Sequence, residues 1–189
     1  MGRTDAELIE SATAGDTDAF GELSARHGRR VERFALAATG DQSDAEDVTQ
    51  ETFIEAFKHA ARFDGRPEAL PWLLGIAANR CRMWGRRRGK ADVSLAALPS
   101  IPDGAWGDAH TSPESRGLSW ELQVDIRRAV HALPIKYRLP VILRFQQGLD
   151  YAGIATALKI STGAVAMRLR RAKDLIRRRL DDGHEVDRT

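Results

Sequence analysis

Asp150-Tyr-Ala-Gly-Ile-Ala-Thr-Ala-Leu-Lys-Ile-Ser-Thr-Gly-Ala-Val-Ala-Met-Arg-Leu-Arg-Arg-Ala-Lys173 reads as a short helix, a tight turn and a longer basic helix. Ile154, Ala155 and Leu158 make one apolar stripe, and Val165, Leu169, Ala172 and Ile176 make a second at helical spacing. Lys159-Ile160-Ser161 supplies the turn between them, and Ser161 is a good N-cap for the second helix. Two helices crossed in this way form a helix-turn-helix, whose second helix enters the major groove of DNA.

The surrounding chain has 189 residues, enough for one or two small domains, with 42% hydrophobic and 30% charged residues. No run is long and apolar enough to insert in a membrane, and Met1-Gly-Arg-Thr-Asp-Ala-Glu lacks the apolar core of a signal peptide. The expected compartment is therefore the cytoplasm. Cys81 is the single cysteine, which excludes an internal disulfide and a cysteine-based zinc site. Its basic surroundings would lower its pKa, but a redox role needs a partner thiol, so a buried, inert thiol is expected. His27, His59, His110, His131 and His184 show no metal-ligand spacing. No phosphate loop and no nucleophile–histidine–acid set is visible, so no catalytic residue, metal or cofactor is expected.

Net charge is only +2, yet the charges are segregated. Residues 79–90 carry Arg80, Arg82, Arg86, Arg87, Arg88 and Lys90 with no acid. Residues 168–179 carry Arg168, Arg170, Arg171, Lys173 and Arg177 to Arg179 against Asp174 alone. Residues 41–55 are the opposite, with Asp41, Asp44, Glu46, Asp47, Glu51 and Glu55 and no base. Two basic segments and one acidic segment imply at least two kinds of partner surface.

Helical signals run through the rest, and strand alternation is absent. Thr4 to Glu7 is a capping box opening a first helix, ended by Gly15-Asp16. A second helix is expected over 18–38, with Phe20, Leu23, Val31, Phe34 and Ala38 inward. Ser43 to Glu46 reads as another capping box, opening a helix to about 62 with Ala45, Val48, Thr52, Phe53, Ala56, Phe57 and Ala60 on its apolar face. A loop rich in proline and glycine follows over 63–71, then a helix over 72–86 with Trp72, Leu73 and Ile76 in the core. Residues 89–119 have little periodicity and read as a flexible linker. Helices over 120–132, stopped by Pro134, and over 137–147, closed by Gly148, precede the helix-turn-helix. The expectation is an all-α protein of two small helical domains, 1–88 and 120–181, with a polar tail over 182–189.

Two of these segments resemble bacterial RNA polymerase sigma factors of the extracytoplasmic function (ECF) group. One is Asp44-Ala-Glu-Asp-Val-Thr-Gln-Glu-Thr-Phe-Ile-Glu-Ala-Phe57. The other is Ala132-Leu-Pro-Ile-Lys-Tyr-Arg-Leu-Pro-Val-Ile-Leu-Arg-Phe145 with the helix-turn-helix after it. The resemblance covers 18–88 and 121–180. It implies a dissociable polymerase subunit whose first domain binds the polymerase clamp and melts the minus-ten promoter element. The second domain would bind the polymerase flap and read the minus-thirty-five element, with an anti-sigma factor as a further partner.

On that resemblance, Asp44, Asp47, Gln50, Glu51 and Phe53 would meet core RNA polymerase, where complementary charge speeds and orients docking. Phe53 also belongs to the apolar stripe. Arg66, Asn79, Arg80, Trp84, Arg86 and Arg87 would meet minus-ten promoter DNA, with an aromatic ring for stacking and arginines for phosphates. Trp84 suits a DNA platform and a core position equally. Ser161, Thr162, Ala166, Met167, Arg168, Arg170 and Arg171 would face the minus-thirty-five DNA, with Arg170 and Arg171 as the main base readers. Ala166 and Met167 stand where basic or small polar residues are common in the family. The competing reading is a stand-alone helix-turn-helix regulator with an N-terminal sensor domain. Such a protein would need a dimerisation seam for two-fold half-sites, and none is visible.

Overall fold

The computed structural model describes residues 2–65, 68–87 and 120–186. These form eight α-helices and no strand. In order they are α1 (Asp5–Thr13), α2 (Thr17–Thr39), α3 (Gln42–Lys58), α4 (Leu70–Arg87), α5 (Trp120–His131), α6 (Ile135–Val141), α7 (Tyr151–Leu158) and α8 (Thr162–Val186). A 3₁₀ turn, Ala60–Arg62, follows α3, and a π turn, Ile142–Gln146, extends α6. The expected linker over 89–119 and Arg66 lie outside the described residues.

Local chemistry sets most helix starts. Thr4 caps α1 in a reciprocal capping box with Glu7. Asp16 caps α2 through the Ala19 N–H at 3.1 Å. The third start differs from the Ser43 expectation. Asp41 accepts from the Asp44 N–H at 2.9 Å, so α3 begins at Gln42, and Ser43 lies inside its exposed first turn. The end differs too. The α-helix stops at Lys58, and the 3₁₀ turn carries the chain on to Arg62.

Helices α1 to α4 close around Leu8, Leu23, Val31, Phe34, Leu73 and Leu74, all fully buried. Each such aliphatic or aromatic side chain contributes about 1.5–3 kcal/mol on leaving water. One buried acid ties three of these helices together. Asp5 accepts from Arg26 at 2.7 Å, from the His27 imidazole at 2.8 Å and from the Ala69 N–H at the entry to α4 at 2.9 Å. Burial would push its carboxyl up, but these hydrogen bonds outweigh it and hold Asp5 below the usual carboxylate range. The same core admits Trp72 and Ile76 as partly buried members and encloses Cys81 completely. Burial pushes the Cys81 thiol up to about 12, so it is inert as a nucleophile at neutral pH.

Helices α5 to α8 pack Leu133, Leu139, Ile142, Leu143, Ile154, Leu158 and Val165. A single helix over 137–147 is expected from the apolar pattern, and the chain departs from it. Pro140 sits inside α6 and lacks the donor for an i→i−4 bond. Beyond Val141 the turn widens, and the Gln147 N–H reaches Ile142 O at 3.1 Å. Helix α8 runs to Val186, past the expected end at 181.

The two halves share one continuous hydrophobic cluster. Arg138 of α6 is buried, and its guanidinium donates to Leu133 O behind α5 and to Ala38 O near the C-terminus of α2. Burial pushes it down to about 10, so it stays charged at neutral pH. Beside it, His131 Nε2 donates to Thr39 O at 3.1 Å. Gly40 makes this possible. Its φ of +78° ends α2, and a Cβ there would lie 2.1 Å from His131 Nε2. A second close approach brings Gly75 of α4 against α7, where a Cβ would stand 3.1 Å from Ala157 O. Arg30 and Gln146 complete the seam through Gln147 O and Arg33 O.

Replacing Arg138 with Met leaves two buried carbonyl ends unpaired and should cost about 3 kcal/mol, measured by urea unfolding. The junction also carries a pH dependence. Burial, then the Arg138 charge, hold His131 below its ordinary value of 6.5. The unfolded chain therefore takes up this proton at a higher pH than the folded one, and stability falls as pH drops below about 6.5. In His131→Gln the loss of stability between pH 7.5 and 5.5 should be smaller than in the wild type.

Candidate polymerase and promoter interfaces

On α3 the acidic face is real but rotated from the sequence expectation. Asp47 and Gln50 are exposed, and Glu51 is half-buried. Ile54, seven residues after Asp47, shares this face and is 48% exposed. Phe53 instead turns toward Phe20, with ring centroids 6.4 Å apart. Phe57, expected in the core, is 46% exposed although it stacks edge-on against Phe20 at 5.1 Å. The acidic surface is thus edged by Ile54 and Phe57, and Asp44 lies half-buried at its N-terminal end.

Helix α4 sends its basic residues in three directions. Arg80 points to α3, where it pairs with Glu51 at 3.4 Å and with Glu55. Arg82 points to α7 and donates to Leu158 O at 3.4 Å. Burial, then the charges of Arg168 and Arg86, hold the Arg82 guanidinium below its ordinary value. Only Asn79 and Arg86 of the expected minus-ten residues stand exposed on the described part of α4, while Trp84 is half-buried. The spacing of Arg80 and Arg82, two residues apart, is the sequence signal that they leave the helix on opposed sides.

The helix-turn-helix forms as its sequence implies. Asp150 caps α7 through the Gly153 N–H at 2.7 Å, and Ser161 Oγ accepts from the Ala164 N–H at 3.1 Å. The turn between them is closed by Lys159 in the left-handed region, φ 54°. Val165 and Ala172 are fully buried and set the rotation of α8. Thr162, Ala166, Met167, Arg170 and Arg171 are then exposed, and Arg168 is half-buried. Met167 is 68% exposed, a large apolar side chain standing in solvent on the outward face. Phe145, 69% exposed at the π turn, is a further large apolar side chain on the surface.

The Sigma-70 region 2 family model matches residues 23–91, and the Sigma-70, region 4 model matches residues 123–176. The ECF RNA polymerase sigma-E factor of Escherichia coli (strain K12) is 31% identical over 177 residues, covering 92% of each chain. That of Haemophilus influenzae is 30% identical over 181 residues, covering 94% of this chain and 95% of the relative. Among solved structures, CnrH in complex with the cytosolic domain of CnrY aligns with a TM-score of 0.65 at 24% identity, covering 94% of this chain and 97% of that one. The sigma factor RpoE of Bartonella quintana, solved with the anti-sigma factor NepR, aligns at 0.61 and 20% identity, covering 86% of this chain and 96% of that one.

The chain belongs to the ECF group of RNA polymerase sigma factors. Its function is that of a transcription initiation factor, directing RNA polymerase to promoters.

The left-handed Lys159 gives a direct check on the helix-turn-helix. A side chain in that conformation costs about 1 kcal/mol that glycine does not incur. Lys159→Gly should therefore raise the unfolding free energy by about that amount, read from thermal or urea unfolding.

Proposed function

We propose that the α3 face bearing Asp47, Gln50, Glu51 and Ile54 docks on core RNA polymerase. The observation that carries this is an exposed acidic surface edged by unburied Ile54 and Phe57. Exposed acids steer a basic partner, and the apolar side chains beside them offer it surface to bury. Phe53, turned toward Phe20, acts beneath this surface by holding α3 in place. Asn79 and Arg86, with Arg66 and Arg87, meet minus-ten DNA together with Trp84, which shares α4 with Asn79 and Arg86. Arg80 joins this set by exchanging Glu51 and Glu55 for phosphate. Helix α8 reads the minus-thirty-five element through Thr162, Ala166, Met167, Arg170 and Arg171, with Ser161 and Arg168 placed for the backbone. The working units are 1–88 and 120–181, joined by 89–119. The protein performs no catalysis of its own and works in the cytoplasm. Among the described residues no helix is long and apolar enough to cross a membrane.

Two promoter elements about 25 base pairs apart are separated by roughly 85 Å of B-form DNA. Gly75 and Ala157, from the two halves, are in contact. The halves must therefore part when both elements are engaged. An anti-sigma factor is the expected opposing partner, because it would hold the polymerase-facing surfaces covered. The fold shared with CnrH and RpoE, each solved with a bound partner, supports that reading.

Purified protein, core RNA polymerase and promoter DNA test the assignment together. Promoter-specific transcript is expected, and absence of both transcript and core binding would overturn it. Asp47→Lys combined with Ile54→Lys leaves the Arg80 pairs in place. It should lower core affinity at least tenfold with thermal stability retained, measured by fluorescence anisotropy.

A further inference from the structure

We propose that Met167 is a specificity-determining residue that reads the 5-methyl group of a thymine in the upstream promoter element. The proposal rests on the assignment of α8 as the recognition helix and adds what one of its residues recognises. Ser161 caps the helix start, and fully buried Val165 and Ala172 fix its rotation. Two residues on from Val165, at about 100° per residue, Met167 points directly away from the core. It is 68% exposed, among exposed Ala166, Arg170 and Arg171.

The chemistry narrows the ligand. A thioether offers no hydrogen-bond donor and only a weak acceptor, so it cannot pair with guanine O6 and N7 or adenine N6 and N7. The one apolar feature on the floor of the major groove is the thymine C5-methyl. An unbranched, polarisable side chain is suited to covering it. Small Ala166 beside it leaves room for the base edge. Arg170 lies three residues on and therefore on the same face, about 5–6 Å away, which is within two base steps along the groove. The element therefore has a thymine read by Met167 within one or two base pairs of a guanine read by Arg170.

The test uses the holoenzyme. A promoter with a randomised upstream region is first selected with wild-type protein and core polymerase. Each thymine in the selected element is then replaced singly by uracil, which removes the methyl and leaves base pairing unchanged. At one position wild-type binding should fall about three- to fivefold, the effect of exposing one methyl group. Met167→Leu should keep that dependence, and Met167→Gln should abolish it. Both variants fold, since the side chain stands in solvent. A methyl effect equally large in Met167→Gln, or no uracil-sensitive position for the wild type, overturns the proposal. A wild-type holoenzyme that selects no upstream sequence overturns instead the assignment of α8 as a recognition helix.

Discussion

A buried guanidinium holds this molecule together. The carbonyls at a helix C-terminus have no partner within the helix, and burying them unpaired is costly. Arg138 meets two such ends at once, Leu133 O behind α5 and Ala38 O of α2, while His131 meets Thr39 O next to it. The negative ends of both helix dipoles face one positive group, whose planar fork sends Nε and Nη2 to Leu133 O and Nη1 to Ala38 O. Gly40 must lack a side chain for His131 to lie over it, and Cys81 is sealed nearby with its thiol protonated.

Packing also decides what Arg80, Arg82 and Arg86 of α4 do. Charge density alone does not separate Arg80, Arg82 and Arg86, which fall in one basic segment. Packing separates them into a brace on α3, a contact on the C-terminal end of α7 and an exposed group. Glu51 is engaged twice, as part of the acidic surface and as a partner of Arg80. On the proposed assignment, Arg80 turning to phosphate would release Glu51 for polymerase, and Glu51 turning to polymerase would release Arg80 for DNA, so the two events would favour each other electrostatically.

Much of the fold was legible because the signals are local. The Thr4 and Ser161 caps need only a side-chain oxygen two or three residues ahead of orphan N–H groups. The apolar stripes of α2, α7 and α8 recur at the helical period and face the core as expected, with Phe20, Leu169 and Ile176 half-buried and the rest buried. Misreadings cluster where two local signals compete. Asp41 displaces Ser43 as the cap of α3 because both satisfy the same pattern and the turn at Gly40 presents Asp41 first. Phe57 fits the apolar stripe, but it lies on the helix margin, where the Phe20 ring covers only one side of it. Ile54 was the omitted residue that the stripe itself excluded, and an isoleucine off the core face of an acidic helix is a surface signal.

Periodicity, capping chemistry and charge segregation were enough to establish an all-helical chain with a helix-turn-helix, an acidic face and a basic helix, since each depends on residues within a turn or two. The direction of Arg80, the burial of Arg138 and the contact of Gly75 with Ala157 depend on residues that are 25 to 100 positions apart in the chain. Those distances carry no periodic trace. They are set by which helix ends need a donor and by which surfaces meet once the helices are packed.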